Sequence, residues 1–176
     1  MDLEKRLRHI PNFPKDGIDF IDITTVLQDA GAFRETIDQM VEKVKDLEFD
    51  LIIGSESRGF ILGAPLAYAM KRGFIPVRKN GKLPWQTVKA EYELEYGKDI
   101  LEMHIDAVKR GTRVLVVDDL LATGGTALAN CQLVEQLGGV VAGILFFIEI
   151  EDLGGRQKLD KYPLYSLVSV KEQLPE

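Results

Sequence analysis

Two adjacent carboxylates followed by a glycine-containing loop mark one stretch of this sequence as a place for chemistry. Residues 114–117 are all aliphatic and predict a buried strand, with Asp118 and Asp119 where that strand is expected to emerge. A loop of small residues, 122–126, then leads into residues 127–137, which have the apolar spacing of a helix. Ligands of open α/β sheets bind beyond the carboxyl ends of the strands, so we expect the functional site here.

The spacing of the acidic pair and the loop indicates a sugar phosphate as the ligand. The backbone amides of residues 122–126 open the predicted helix and, with its dipole, offer an anion site to which the hydroxyls of Thr123 and Thr126 can add donors. Adjacent carboxylates can accept hydrogen bonds from two neighbouring hydroxyls. Because an extended chain covers only about 3.3–3.6 Å per residue, the two sites are close. A vicinal diol and a phosphate so near each other describe a ribose 5-phosphate.

Three other interpretations of the same stretch fit less well. The sequence has no Gly-x-x-x-x-Gly-Lys-Ser/Thr run, so the loop lacks the lysine that reaches the outer phosphates of a nucleoside triphosphate. A dinucleotide fingerprint places its acidic residue after the glycines, whereas here the acidic pair precedes them. A response-regulator-like receiver has its acidic pair early in the chain. A strand, turn and helix that are acidic without function remain an alternative.

Composition favours one globular domain and excludes some classes of partner. The chain has 176 residues with 45% hydrophobic content, and we expect a single domain over residues 1–176. The net charge of −6 argues against nucleic acid and anionic membrane as general partners, and no apolar run approaches the length of a membrane span. The N-terminal sequence has no secretory character, and the single cysteine, Cys131, fits a reducing compartment, so we expect a cytoplasmic protein.

Strands that alternate with helices predict an α/β fold with a mostly parallel central sheet flanked by helices. The apolar spacing predicts helices at residues 2–10, 32–47, 59–70 and 127–137, the first stopped by Pro11 and Pro14, and strands at residues 51–53, 74–77, 113–117, 140–148 and 165–170. Cys131 falls on the apolar side of its helix and is expected in the core. His9 falls in the first predicted helix, and we assign it no role.

Residues 88–106 break the alternation of strands and helices. Apolar and polar side chains alternate with a period of two on both sides of residues 97–99, which predicts a β-hairpin with one apolar and one acidic face. We expect this hairpin to project from the sheet as a lid, because long connections of this kind commonly close over active sites. His104 falls on the polar face and is expected to be solvated.

Residues 116–126, Val-Val-Asp-Asp-Leu-Leu-Ala-Thr-Gly-Gly-Thr, resemble the phosphoribosyl-pyrophosphate motif of the type I phosphoribosyltransferases. The resemblance extends, in the family's order, over residues 14–24, 54–59, 78–84 and 94–98, and so covers most of the chain. It implies the family's α/β fold, with an N-terminal hood at about residues 11–28 and a lid hairpin at about residues 84–106.

The resemblance also implies roles for individual residues. Those expected to bind ribose 5-phosphate are Asp118, Asp119, Ala122, Thr123, Gly124, Gly125 and Thr126. Those expected on the diphosphate side are Ser57, Arg58, Arg78 and Lys82, with an unusual cis peptide near Glu56-Ser57. Phe20 is expected to stack on the base, and the main chain of Asp19 and Ile21 to contact the edge of the base; the family often has a basic side chain where Ile21 stands.

Glu95 is the catalytic acid–base residue that the resemblance implies, although from the residues alone Glu91, Glu93 and Glu95 are equivalent on one face of the hairpin. The implied reaction moves the 5-phosphoribosyl group of 5-phosphoribosyl 1-diphosphate to adenine, giving AMP and diphosphate. Magnesium is expected to be held mainly through the substrate, and the protein to be a homodimer. A 6-oxo purine base such as hypoxanthine or xanthine, and a non-catalytic regulatory protein that senses the sugar diphosphate, remain the alternatives.

Overall fold

The computed structural model describes residues 1–94 and 97–171, and a seven-stranded sheet lies at the centre of this part of the chain. The strands are β1 (Arg8–Pro11), β2 (Asp19–Asp22), β3 (Leu51–Ser55), β4 (Gly73–Lys79), β5 (Thr87–Leu94), β6 (Gly97–His104), β7 (Arg113–Leu121), β8 (Val140–Ile150) and β9 (Leu164–Val170). The helices are α1 (Thr24–Leu27), α2 (Ala30–Val44), α3 (Arg58–Ala69), α4 (Gly125–Gln136) and α5 (Gly155–Lys158), with 3-10 turns at Glu4–Arg6 and Glu151–Leu153.

The order of the strands fixes where a ligand can bind. The sheet runs β5-β6-β4-β3-β7-β8-β9, and β4, β3, β7, β8 and β9 are parallel to one another. From β3 the chain proceeds to β4 on one side, while β7 lies on the other side of β3. The strand order therefore reverses between β3 and β7, and open α/β sheets bind ligands at such a switch point.

The sheet is buried on both faces, as its continuous aliphatic strands require. One cluster of buried side chains lies against α2 and α3, and a second lies against α4 and the β5–β6 hairpin. Phe146 and Phe147, neighbours on β8, are both fully buried and belong to different clusters. None of the helices described is long and apolar enough to span a membrane.

The predicted mostly parallel α/β fold is confirmed, with local differences in the element bounds. Helix α2 begins at Ala30 because the Asp29 carboxylate accepts a hydrogen bond from the Ala32 amide, 2.9 Å away, and so caps the helix. Strand β7 differs more, because it continues to Leu121. The acidic pair therefore lies within the strand and not at its end.

The predicted helix over residues 2–10 is wrong. Only the short 3-10 turn Glu4–Arg6 is helical there, and the chain then enters β1, which pairs antiparallel with β2 in a separate two-stranded sheet. His9 lies in β1, and its Nδ1 is 2.6 Å from an Asp19 carboxylate oxygen. The pairing partners in β2 lie 8 to 14 residues further along the sequence, so the pattern of residues 2–10 by itself carried no sign of a strand.

The predicted hairpin is present as β5 and β6 and projects from the edge of the sheet. Among the described residues, β6 pairs antiparallel with the end of β4 at Arg78–Glu102 and Lys79–Leu101, which attaches the hairpin to the sheet. Its expected acidic face, however, is partly buried: Glu102 is 3% exposed and forms an ion pair of 3.1 Å with Lys89 on β5. His104 is half-buried against Trp85, and its Nε2 has no hydrogen-bond partner within the described residues.

Candidate active site

Both carboxyl groups of the acidic pair are buried, although they are polar and, having the same charge, cannot form an ion pair with each other. Asp118 is 9% exposed and Asp119 is 6% exposed. The neighbouring aliphatic residues of β7 alternate between the two core clusters, but the alternation changes phase across this pair: Leu115, Val117 and Leu120 pack in one cluster, and Val114, Val116 and Leu121 in the other. The acidic pair is thus the point at which the regular pattern of the strand is interrupted.

Asp118 is held by neutral donors. One oxygen, Oδ1, accepts the Asp119 amide at 2.9 Å, and Oδ2 accepts the Ser55 hydroxyl at 3.3 Å. Burial raises the pKa of Asp118 well above its usual range, and the adjacent Asp119 raises it further, while the Ser55 hydrogen bond acts in the opposite direction. The protonation state of Asp118 therefore depends on which hydrogen-bond donors contact its carboxyl group.

Asp119 is held by a cation. Its Oδ2 lies 2.9 Å from Nε of Arg58, the first residue of α3. The Arg58 guanidinium also lies over the ring of Phe20, 5.7 Å from the ring centroid. Phe20 in turn contacts Phe13 edge to face at 5.3 Å. Arg58 thus links β7, α3 and the N-terminal segment. It contacts Asp119 and Phe20, which were predicted to bind the ribose and the base, and was itself predicted to bind the diphosphate.

The loop after β7 opens α4 without a side-chain cap among the residues described. Gly124 precedes the helix with a left-handed backbone, φ +85°, and no side chain accepts from the first turn. The first amides of an α-helix lack intrahelical partners, so the backbone at residues 124–126 can donate to an anion. Ala122, Gly125 and Thr126 are partly exposed and Thr123 is exposed, which leaves this loop open to a ligand.

The residues predicted for the diphosphate follow β3 and β4 and lie around Glu56. Glu56 and Ser57 are joined by a cis peptide bond, as the resemblance implies. A Glu56 carboxylate oxygen accepts Nε of Arg78 at 3.2 Å and the amide of Lys79 at 2.7 Å. A second nitrogen of Arg78 donates to the Lys82 carbonyl at 3.5 Å, so the ends of β3 and β4 are tied together. The side chains of Ser57 and Lys82 are exposed.

A cavity of about 180 Å³ lies between the N-terminal segment and the carboxyl ends of β7, β8 and β9. Its lining includes Asp19, Phe20 and Ile21, and Ala122 from the loop before α4. The Ile21 side chain is also part of the core, with 6% exposure, which leaves its main chain as the part that can contact a ligand. The structure therefore places the three residues predicted for the base in one cavity beside the predicted phosphate loop.

The hairpin covers the start of α4, and the predicted acid–base residue Glu95 lies outside the described residues. A Cβ built on Gly125 would be 3.8 Å from the Glu93 carbonyl oxygen, so β5 passes over the first turn of α4. The side-chain amide of Gln136 donates to the Lys89 carbonyl at 2.8 Å, near the other end of the helix. Tyr92 faces inward on β5, where burial and the Asp99 hydrogen bond raise its pKa to about 12.

Several residues at the site were not identified from the sequence. The further cavity-lining residues include Ile18, Leu120, Ile150, Leu153, Val170 and Lys171. The rule that ligands bind beyond the carboxyl ends of strands could have indicated Ile150 and Val170, which end β8 and β9. Ser55 and Asn130, which connect to Asp118, gave no local signal, because 75 positions separate them.

A seam of two glycines fixes the loop before α4 against α5. A Cβ on Gly155 would lie 2.4 Å from the Ala122 carbonyl oxygen and 2.6 Å from a Leu121 methyl group, and a Cβ on Gly124 would lie 3.1 Å from the Gly155 carbonyl oxygen. Arg156, the next residue, donates to the buried Glu149 carboxylate at 2.7 and 2.5 Å. Only glycine at position 155 allows this approach of the two backbones.

Comparisons with known proteins point to one family. Residues 23–173 match the family model described as phosphoribosyl transferase domain. A protein of Acetivibrio thermocellus named adenine phosphoribosyltransferase is 63% identical over 169 residues, which are 96% of this chain and 99% of the relative. A protein of Caldicellulosiruptor bescii with the same name is 60% identical over 174 residues, which are 99% of each chain.

Solved structures of proteins with that name have the same fold. The enzyme of Thermoanaerobacter pseudethanolicus superimposes with a TM-score of 0.94 at 54% identity, covering 96% of this chain and 98% of its own. That of Saccharomyces cerevisiae, solved with an imino-altritol bisphosphate and adenine, gives a TM-score of 0.88 at 42% identity, covering 94% and 96%. That of Trypanosoma brucei, solved with AMP, pyrophosphate and ribose-5-phosphate, gives 0.86 at 27% identity, covering 95% and 78%.

The glycine seam predicts the effect of a single methyl group. Gly155→Ala must displace the Ala122 backbone, because no side-chain movement can relieve a contact of 2.4 Å with a carbonyl oxygen. Overpacking costs about 1–3 kcal/mol of stability, which the protein can relieve here only by moving the Ala122 backbone and the amides that follow it. We therefore expect the affinity for ribose 5-phosphate, measured by calorimetry, to fall about tenfold or more, the equivalent of about 1.4 kcal/mol.

The matched control is Gly139→Ala. There a Cβ would meet Val108 and Val134 methyl groups at 2.6 and 2.8 Å, away from the loop. This variant should lose stability in urea denaturation and keep its affinity for ribose 5-phosphate. An unchanged affinity in Gly155→Ala would show that the seam does not set the shape of the loop.

Proposed function

The chain belongs to the phosphoribosyltransferase family, and we propose that it transfers the 5-phosphoribosyl group of 5-phosphoribosyl 1-diphosphate to adenine, giving AMP and diphosphate. One observation carries this proposal. The buried pair Asp118 and Asp119 lies on β7, the uncapped start of α4 follows that strand, and Ala122 between them lines the cavity beside Phe20. These three features would meet the diol, the 5-phosphate and the base of one nucleotide. The reaction would serve purine salvage.

The sugar is proposed to bind along β7 and the loop that follows it. Asp118 and Asp119 would accept hydrogen bonds from the two ribose hydroxyls. The amides of residues 122–126 would bind the 5-phosphate at the positive end of the α4 dipole. The hydroxyls of Thr123 and Thr126 would add donors. The partial exposure of this loop supports that assignment.

The diphosphate is proposed to bind at the ends of β3 and β4. Ser57, Arg58, Arg78 and Lys82 would supply its donors. The Arg58 and Arg78 guanidinium groups are already oriented by Asp119 and Glu56, at 2.9 and 3.2 Å, and each keeps further N–H groups. An arginine oriented in this way can grip a phosphate oxygen pair in a bidentate manner.

We propose Mg²⁺ as the cation, held mainly through the substrate. The described residues contain no group of three or more His, Cys, Asp or Glu side chains that could hold a metal ion. Mg²⁺ retains waters and binds readily to phosphate oxygens, so a site with few or no direct protein ligands suits it. When bound, the cation would neutralise part of the charge of the leaving diphosphate.

The base is proposed to enter the cavity under the hood, residues 11–28. Phe20 would stack on the ring, and the main chain of Asp19 and Ile21 would contact its edge. The cavity of about 180 Å³ has apolar walls apart from Asp19 and Lys171, which suits a flat purine. A 6-oxo purine reverses the hydrogen-bond polarity at that edge, which is why adenine and hypoxanthine can be distinguished there.

Catalysis is proposed to depend on charge that develops in the ribose. As the bond from C1 to the diphosphate lengthens, the ribose gains oxocarbenium character, which the nearby carboxylates stabilise while the arginines stabilise the leaving group. N9 of adenine attacks from the opposite face, and Glu95 accepts its proton. The lid, residues 84–106, would exclude the water that otherwise hydrolyses the activated sugar.

The protein is proposed to act as a homodimer of single-domain chains in the cytoplasm. Helix α3 supports the dimer, because its outer surface carries exposed apolar residues, Ile61 and Tyr68, the latter 88% exposed. Exposed apolar patches commonly mark contact surfaces. The single cysteine, Cys131, cannot form an internal disulfide, which fits a reducing compartment. Its thiol is fully buried, and burial raises its pKa to about 12.

A panel of bases tests the function. Protein, Mg²⁺ and 5-phosphoribosyl 1-diphosphate are mixed with adenine, hypoxanthine or xanthine, and the nucleotide is identified by chromatography. We expect AMP, with kcat/KM for adenine at least about 10²-fold above the others, because buried groups matched to one base are left unpaired by another. Faster formation of a 6-oxo nucleotide would reassign the base, and binding of the sugar diphosphate with no nucleotide from any base would indicate a sensor.

The acidic pair predicts a loss of turnover without a loss of fold. Asp118→Asn combined with Asp119→Asn removes both carboxylates at nearly constant volume, so kcat should fall by about 10²-fold or more. Circular dichroism and urea denaturation should still report a folded protein. The control replaces two exposed acids of the α2 region, Asp38→Asn with Asp46→Asn, and should retain full activity. Near-normal turnover in the first double variant would rule out the diol role.

Glu95 is tested by separating turnover from binding. Glu95→Gln should lower kcat by about 10²- to 10⁴-fold, the usual contribution of general acid–base catalysis, with KM for the sugar diphosphate little changed. Glu91→Gln and Glu93→Gln, which the sequence pattern assigns to the same face of the hairpin, are the controls and should keep their kcat. A loss in either control, or a parallel loss of binding in Glu95→Gln, would contradict the assignment.

A further inference from the structure

A buried chain of hydrogen bonds ends at Asp118. The Asn130 side-chain amide on α4 donates to the Ser55 hydroxyl oxygen on β3 at 3.0 Å. That hydroxyl donates to Asp118 Oδ2 on β7 at 3.3 Å. Asn130, Ser55 and Asp118 are 0%, 2% and 9% exposed, so this hydrogen-bond chain lies inside the protein and approaches the site from the core.

Burial of Asn130 is not explained by its own hydrogen bonding. Its Oδ1 is buried and has no hydrogen-bond partner within the described residues. An unpaired buried polar atom is destabilising, and most buried side-chain polar atoms in proteins are paired. The neighbouring inward positions of α4, Ala127 and Val134, are apolar, as the core there requires. A polar side chain at position 130 therefore has a cost that the packing of α4 does not offset.

The hydrogen-bond chain from Asn130 orients the O–H bond of Ser55. A serine hydroxyl rotates freely and can donate to any acceptor within reach. Because the Asn130 N–H occupies a lone pair of the Ser55 oxygen, the Ser55 hydrogen must point elsewhere, and Asp118 Oδ2 is the acceptor that it meets. With the Asp119 amide on Oδ1 at 2.9 Å, both oxygens of Asp118 are then fixed and the plane of the carboxyl group is set.

Asp119 needs no such arrangement. Its carboxylate is oriented by the charged side chain of Arg58, whose Nε lies 2.9 Å from Asp119 Oδ2. Arg58 lies on α3, whereas Asn130 lies on α4. The two members of the acidic pair are thus held by different means. A cation from α3 holds Asp119, whereas the Ser55 hydroxyl of β3 and the Asp119 amide hold Asp118, with Asn130 of α4 donating to Ser55. Within the described residues, Ser55 is the side chain that hydrogen-bonds to Asp118.

We propose that Asn130 and Ser55 are positioning residues for the ribose diol, acting through the orientation of Asp118. This inference rests on the proposed function, in which Asp118 accepts a hydrogen bond from the sugar. The carboxyl plane that the chain sets leaves lone pairs of Asp118 directed to the hydroxyls of the bound ribose. Neither residue touches the substrate.

The experiment compares two probes that share a phosphate ester, ribose 5-phosphate and methyl phosphate, which has no diol. Their affinities are measured by calorimetry, the second by competition with the first, on the full chain and on Asn130→Leu and Ser55→Ala. In the wild type, ribose 5-phosphate should bind more tightly than methyl phosphate. In both variants its affinity should fall roughly 5- to 10-fold, the effect of about one net hydrogen bond, with methyl phosphate unchanged.

Two further variants separate positioning from stability. Ser55→Thr keeps the hydroxyl and should restore the preference for ribose 5-phosphate. Thr36→Val removes a buried hydroxyl on α2 that donates to the Ala32 carbonyl at 2.8 Å, away from the site, and should leave both affinities as in the wild type. If Asn130→Leu fails to fold, Ser55→Ala decides the question alone.

The outcomes are distinct. Equal weakening of both probes in the variants would show that Asn130 and Ser55 only stabilise the fold, and unchanged affinities would show that they have no role; either result overturns the inference and leaves the proposed function intact. A wild type that binds ribose 5-phosphate no more tightly than methyl phosphate would overturn the diol role of Asp118 itself, and the inference with it.

Discussion

The burial of two neighbouring carboxylates is the constraint around which the rest of the site is arranged. A charged carboxylate is costly to bury unless it is paired or hydrogen-bonded, and a second one beside it adds repulsion. The consequence is visible at Asp118, whose pKa is raised first by burial and then by Asp119. The fold compensates from three elements at once, with Arg58 of α3, Ser55 of β3 and, behind Ser55, Asn130 of α4.

The order of the strands makes this compensation possible. Because β3 lies between β4 and β7, the loops after β3, β4 and β7 open on one edge, and α3 and α4 both begin there. Ala122 contributes to two parts of the site: it lines the cavity beside Phe20, and it lies in the loop before α4. The approach of Gly155 to its carbonyl oxygen fixes that loop from the side of β8. Base cavity and phosphate loop are therefore parts of one packed unit.

The sequence predicted the parts of this fold that depend on local pattern. The aliphatic strands, the helices between them and the acidic pair followed by a loop could all be read from neighbouring residues. What could not be read depends on contacts between distant residues. Residues 8–11 become a strand through their partner β2, and Glu102 becomes buried through Lys89 and the edge of β4. The local sequence does not mark Ser55 and Asn130 as part of the site, because they become hydrogen-bonded only where α4 packs against β3.

Arg58 is the residue that shows most clearly why the type of a side chain matters at this site. Its Nε pairs with Asp119, its guanidinium lies over the Phe20 ring, and it begins the helix that follows the cis peptide at Glu56 and Ser57. A guanidinium has five N–H donors in a rigid plane, so one edge can orient a carboxylate while the face contacts an aromatic ring and other donors stay available. A lysine, with a single ammonium group on a flexible stem, could make any one of these contacts but not all of them together. In the proposed function the same plane joins the diol, the base and the diphosphate, and this explains how three separate binding elements can respond to one substrate.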